Sequence, residues 1–80
     1  MNDQQWARAI MERDNWTCQN CGTNKHLDAA HIISKQRRPD LRHELRNGVT
    51  LCRVCHQFYH AFPIRFGLFV EALKWSAASI

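Results

Sequence analysis

The chain has 80 residues, the size of one small domain, and its 11 Lys and Arg residues outnumber its 7 Asp and Glu residues, for a net charge of +4. A domain this short buries only about 60% of its unfolded surface and usually needs a metal or disulfides for stability. Residues 1–14 are charged throughout, and no stretch approaches the roughly 20 apolar residues of a membrane span. We therefore expect a cytoplasmic protein, of phage or bacterial origin, with reduced thiols and an anionic partner such as nucleic acid.

The first predicted element is an amphipathic helix over residues 3–13. Trp6 and Ile10 are four residues apart and share one apolar face, which we assign to the core. Asn2 or Asp3 can cap the start of this helix.

The middle of the chain predicts two strands joined by a long surface loop. Residues 27–33 are apolar with a β-branched end, and residues 49–51 follow an Asn-Gly turn signal, so we expect an antiparallel pair. Residues 34–46 have poor periodicity, and one helical turn is expected near 40–45. This loop has five basic residues against two acidic ones: Lys35, Arg37, Arg38, Arg42 and Arg46.

The last part of the chain predicts two helices. Residues 52–61 form the first, and Pro63 can occupy the first position of the second, which continues to about Trp75. The apolar stripe of this last helix is Phe66, Phe69, Val70 and Leu73.

Two sets of side chains predict metal binding. Two Cys-x-x-Cys pairs, 30 residues apart, favour a structural zinc over disulfides: Cys18, Cys21, Cys52 and Cys55. Gly22 after the first pair permits the positive φ that such a zinc-binding turn often needs. His56 and His60 are four residues apart, so on a helix both imidazoles leave the same face, which suggests a second metal with a role in the chemistry.

Four stretches, taken in their order and spacing, resemble the HNH endonuclease family. They are the Cys-x-x-Cys-Gly turn, HII from His31, RNGVTLC, and the CxxCHxxxH run that starts at Cys52. The resemblance covers about residues 16–60. It implies an α+β fold of the ββα-metal type, in which residues 1–80 form a single nuclease domain with flanking helices at about 3–13 and 63–75.

The resemblance also implies roles in metal-dependent hydrolysis of DNA phosphodiester bonds. His31 matches the general base, and an imidazole suits that role near neutral pH. Asn47 matches a residue that bridges backbone groups across the loop, although a plain turn residue is an alternative. His56 matches a ligand of the catalytic divalent metal, and His60 matches a further ligand or is a solvated helix residue. The ion is Mg²⁺, Mn²⁺, Ni²⁺ or Zn²⁺.

The expected partner is double-stranded DNA, and the five basic residues of the 34–46 loop would contact its phosphates. A homodimer or a larger protein partner is also compatible with the sequence. His26 and His43 match no position of the family pattern, and we interpret both as surface residues.

The chain departs from the family pattern at Ala30, where most members have a His or Asp that binds the catalytic metal. Three explanations compete. Water and His60 complete the metal shell, or the substitution disables cleavage, or Asp28 contributes from two residues away. Two other functions remain as alternatives to the nuclease. One is a zinc-stabilised DNA-binding module that no longer cuts, and the other is a zinc-ribbon interaction domain without a nucleic-acid role.

Overall fold

The computed structural model describes residues 1–73 and has an α+β architecture, as expected. The elements are helix α1 (Asp3–Arg13), strand β1 (Leu27–His31), strand β2 (Gly48–Cys52), helix α2 (Arg53–Ala61) and helix α3 (Pro63–Ala72). Two short 3₁₀ turns, Pro39–Leu41 and Leu45–Asn47, lie in the loop between the strands. In the described part of the chain, no helix is long and apolar enough to cross a membrane.

The sheet is a two-stranded antiparallel pair in which Leu27 pairs with Cys52 and His31 pairs with Gly48. Every residue of β2 is buried, because helices cover both faces of this strand. Thr50 and Gly48 face α1, whereas Val49 and Leu51 belong to the cluster beneath α2 and α3. The hairpin is therefore the middle layer of the fold.

Helix α1 begins at a capping box, in which Asn2 and Gln5 exchange side-chain-to-backbone hydrogen bonds of 2.8 and 2.9 Å. Its core face is the predicted one, since Trp6 and Ile10 are both almost fully buried.

The end of α1 is fastened to β2 by an ion pair. The Arg13 guanidinium donates to both carboxylate oxygens of Asp14 at 2.9 Å, and also to the carbonyl oxygens of Leu45 and Gly48 at 2.7 Å. The Asp14 carboxylate accepts a 2.9 Å hydrogen bond from the backbone N–H of Thr50. These contacts fix the orientation of α1 on the hairpin.

Several predicted bounds differ from the structure. Strand β2 extends one residue beyond the predicted 49–51 at each end, and α2 begins at Arg53 instead of residue 52, because Cys52 is its N-cap. Strand β1 ends at His31 instead of residue 33, because the backbone and side chain of Asn47 take over as partners of Ile32 and Ile33. The single helical turn expected near 40–45 is replaced by the two 3₁₀ turns.

Helix α3 ends at Ala72 instead of about residue 75, and Leu73 is its C-cap residue, whose backbone N–H donates to the carbonyl oxygen of Phe69 at 3.1 Å. The expectation for Trp75 lies outside the described residues.

Candidate metal centres and active site

The four cysteines form a cluster whose Sγ atoms all lie within 4.8 Å of one another. The Sγ atoms of Cys21 and Cys52 are 3.7 Å apart. A tetrahedral zinc with Zn–S bonds of about 2.3 Å requires sulfur–sulfur separations of roughly 3.8 Å, so the donor set fits a metal such as zinc. Cys52 ends β2 and also caps α2, where its Sγ accepts a hydrogen bond from the backbone N–H of Cys55.

The thiols of this cluster differ in how readily they ionise. Burial opposes ionisation of Cys18, but backbone hydrogen bonds from Cys21, Cys52 and Asn20 outweigh it and lower the pKa of its thiol to about 7. Burial raises the pKa of the Cys55 thiol to about 12. Because a metal binds the thiolate, the hydrogen bonds to Cys18 favour the ionised form that a metal requires.

A hydrogen-bond chain connects the cysteine cluster to α2. The side-chain amide of Asn20 donates to Cys55 Sγ at 3.3 Å, and the Tyr59 hydroxyl donates to Asn20 Oδ1 at 2.9 Å. Tyr59 also lines the cleft beside His31, so one side chain contacts the surroundings of both candidate sites.

His31 lies at the end of β1, where Trp6 contacts one face of its ring and the carbonyl oxygen of Arg42 contacts one ring nitrogen. The ring stacks on Trp6 with centroids 4.2 Å apart and planes 9° apart, and its Nε2 is 2.9 Å from the carbonyl oxygen of Arg42. Trp6 is fixed by its own hydrogen bond to the carbonyl oxygen of Glu44. Since a carbonyl oxygen can only accept, Nε2 of the neutral ring carries the proton and Nδ1 keeps the lone pair.

Asn47 is fully buried and bridges two parts of the loop. Its Oδ1 accepts from the backbone N–H of Ile33 at 2.7 Å, and its Nδ2 donates to the carbonyl oxygens of Ile33 and Leu41 at 3.0 and 3.1 Å. Aspartate could not make these two donations. The amide therefore holds the chain that follows His31 against the segment that precedes Arg42.

The helix histidines face the same cleft as His31. His56 and His60 have ring centroids 4.9 Å apart. Two adjoining cavities, of about 220 and 260 Å³, are both lined by His31, His56 and His60. Ala30 and Tyr59 also line the first of them. The structure thus brings together the predicted base and the two predicted metal-binding histidines.

A complete set of protein ligands does not accompany them. Within residues 1–73, the cysteine cluster is the only group of three or more His, Cys, Asp or Glu side chains whose ligand atoms lie within 4.8 Å of one another. Ala30 is buried, and its methyl group lies where the family pattern has a ligand. The Asp28 carboxylate instead lies 3.3 Å from His56 Nδ1.

The five basic residues of the loop differ in their surroundings. Arg42 pairs with the Asp3 carboxylate through two guanidinium nitrogens, and Arg38 pairs in the same manner with Asp40. Lys35 lines the second cavity beside the histidines, and Arg37 and Arg46 are exposed. Two of these five cations, Arg38 and Arg42, are therefore paired with carboxylates of the protein.

Sequence reasoning missed three side chains at this site. Trp6 was assigned to the core alone, and Asp3 was considered only as a helix cap. Both contact the loop from more than 35 positions away in sequence, so no local pattern could reveal them. Asp28 was considered as a metal ligand, but its contact with His56 was not foreseen.

The model of the HNH endonuclease family matches residues 18–62, which is more than half of the chain. The chain therefore belongs to the HNH endonuclease family, whose members act on DNA. Comparisons with curated proteins and with solved structures give no match.

Proposed function

We propose that this protein is a metal-dependent endonuclease that hydrolyses phosphodiester bonds of duplex DNA, with His31 as the general base. The observation that carries this proposal is the hydrogen bond from His31 Nε2–H to the carbonyl oxygen of Arg42, at the wall of a cleft shared with His56 and His60. It leaves Nδ1 free to accept a proton from the attacking water.

The surroundings of His31 suit a base that becomes charged during the reaction. When Nδ1 takes up the proton, the Nε2–H bond to the carbonyl oxygen strengthens, because its donor is then cationic. The Trp6 ring lies face to face with the imidazole and is attractive to a cation. Asn47 keeps the loop closed, so the acceptor carbonyl stays in place.

His56 and His60 would hold the divalent metal, and imidazole nitrogen is a suitable donor for Zn²⁺ or Ni²⁺. Such a metal stabilises negative charge on the phosphate oxygens in the transition state. Lys35, which lines the second cavity, would contact phosphates near the cleft, and Arg37, Arg38, Arg42 and Arg46 would contact phosphates along the loop.

A second candidate, a DNA-binding module without cleavage, is favoured by Ala30. With alanine there, no group of three or more His, Cys, Asp or Glu ligand atoms among the described residues includes His56 and His60, and the metal would be held weakly. Both candidates predict DNA binding, and only the first predicts cleavage.

Plasmid nicking in Mg²⁺, Mn²⁺, Ni²⁺ and Zn²⁺ distinguishes the candidates. We expect His31→Ala to lower the nicking rate by about 10²–10⁴, the range for losing a general base. His26→Asn is a matched control, because His26 lies outside the cleft and its φ of 53° is one that asparagine tolerates. Cleavage that survives in His31→Ala refutes the mechanism, and retained DNA binding without cleavage in any metal establishes the second candidate.

A further inference from the structure

Asp28 is an acidic side chain in contact with one of the proposed metal-binding histidines, His56. It lies on β1 two residues before Ala30, so both side chains point to the same face of the sheet, towards α2. Its Oδ2 atom is 3.3 Å from His56 Nδ1, and the two side chains are 36% and 28% exposed. This contact joins the strand to the helix at a point that the family pattern does not include.

The position of Asp28 relative to the cleft indicates how it acts. His56 lines both cavities beside His31, whereas the described residues that line these cavities do not include Asp28. The carboxylate therefore contacts the Nδ1 edge of the imidazole from outside the cleft. A carboxylate can only accept a hydrogen bond, so it selects the tautomer with the proton on Nδ1 and the lone pair on Nε2.

We propose that Asp28 is a positioning residue that holds His56 with Nε2 free to bind the divalent metal in the cleft. This inference rests on the proposed function in one respect: both assume that His56 binds a divalent metal in the cleft. A carboxylate behind a metal-binding histidine fixes the orientation of the ring and increases its basicity. Here the effect replaces part of what is lost at Ala30, since a shell with fewer protein ligands depends more on each of them.

The first test is the tautomer of His56 in the zinc-loaded protein before any second metal is added. Nitrogen NMR of the imidazole is expected to show the proton on Nδ1 in the wild-type protein. In Asp28→Ala this preference is lost, and in Asp28→Asn it is partly kept, because the amide oxygen still accepts. A proton on Nε2 in the wild-type protein overturns the proposal.

The second test is Mn²⁺ affinity, measured by calorimetry on the zinc-loaded protein, since thiolates favour zinc and leave the cysteine cluster occupied. We expect Asp28→Ala to weaken Mn²⁺ binding by about 10–100-fold. Asp28→Asn should weaken it less. Glu71→Gln, which removes an exposed carboxylate on α3, is the matched control and should change nothing.

A double-mutant cycle separates positioning from a general structural effect. In a His56→Ala background, Asp28→Ala should have no further effect on Mn²⁺ affinity, because Asp28 acts through His56. An equal loss in both backgrounds overturns the proposal, as does unchanged affinity in Asp28→Ala. If Asp28 governs the tautomer and the Mn²⁺ affinity of a protein that does not nick DNA, the proposed function fails while this inference stands.

Discussion

Replacing Gly48 with alanine should destabilise the protein, although its backbone would accept the change. The φ of −143° and ψ of 154° at this position are extended values that any residue adopts. A Cβ atom here would lie 2.5 Å from Cζ2 of Trp6 and 2.7 and 2.9 Å from two side-chain carbons of Ile10. Both neighbours are almost fully buried beneath α1 and cannot turn away into solvent.

The size of the effect follows from two opposing contributions. Forcing an extra methyl group into a packed core destabilises by about 1–3 kcal/mol. Alanine also restricts the unfolded chain, which offsets about 0.5–1 kcal/mol of that loss. Contacts of 2.5–2.9 Å place the cost in the upper part of that range, so we expect a net loss of about 1–2.5 kcal/mol in the free energy of unfolding. Tm should fall by about 4–8 °C for each kcal/mol. Urea unfolding at saturating zinc measures the loss.

Gly67→Ala is the matched control, because the chemical change is identical and the surroundings are open. No heavy atom lies within 4 Å of a Cβ placed at Gly67, which is inside α3. Alanine is the better helix former, so this variant should gain about 0.5–1 kcal/mol. If Gly48→Ala is as stable as the wild-type protein, the packing of α1 on β2 described above is wrong.

Four further results are expected. Asn47→Ala leaves three backbone groups without their partner and should lower the free energy of unfolding by about 2–4 kcal/mol, at about 1 kcal/mol per hydrogen bond, in the same urea assay. Ala30→His adds an imidazole to the cleft and should raise both Mn²⁺ affinity and nicking, while unchanged activity with normal metal binding would show that the shell is complete without it. Asp3→Asn releases Arg42, so DNA binding should tighten and the slope of log K against log salt should steepen by about 0.9, whereas an unchanged slope would exclude Arg42 from the DNA contact. Removing zinc with a chelator should abolish the helical circular dichroism signal, because zinc contributes about 10–16 kcal/mol to such domains, and a folded metal-free protein would contradict a structural role for the cysteine cluster.

The sequence predicted helices whose apolar residues recur with helical spacing, and metal-binding residues that lie close together along the chain. The first helix has the predicted bounds because Trp6 and Ile10 mark one face and Asn2 can cap its start. The cysteine cluster was predicted because each Cys-x-x-Cys pair is local and only the meeting of the two pairs depends on the fold.

Contacts between distant segments could not be predicted in the same way. Strand β1 is shorter than its apolar run because the side chain of Asn47 substitutes for a strand partner at Ile33. Nothing in the sequence indicates that the basic loop pairs with distant carboxylates, but Arg42 pairs with Asp3, which lies 39 positions away. Local patterns contain no information about such pairings, which arise only when α1 packs on the hairpin.

The stacking of His31 on Trp6 has a consequence for how this domain could be truncated or fused to another protein. The family pattern begins at residue 18, so a fragment trimmed to it would retain every cysteine and histidine discussed above. It would nevertheless lack the indole that lies flat against the proposed base. The imidazole would then keep its hydrogen bond to the carbonyl oxygen of Arg42 but lose the aromatic ring that covers one of its faces. A fragment that keeps the stacking on the proposed base therefore has to start at the first helix, 15 residues before the first cysteine.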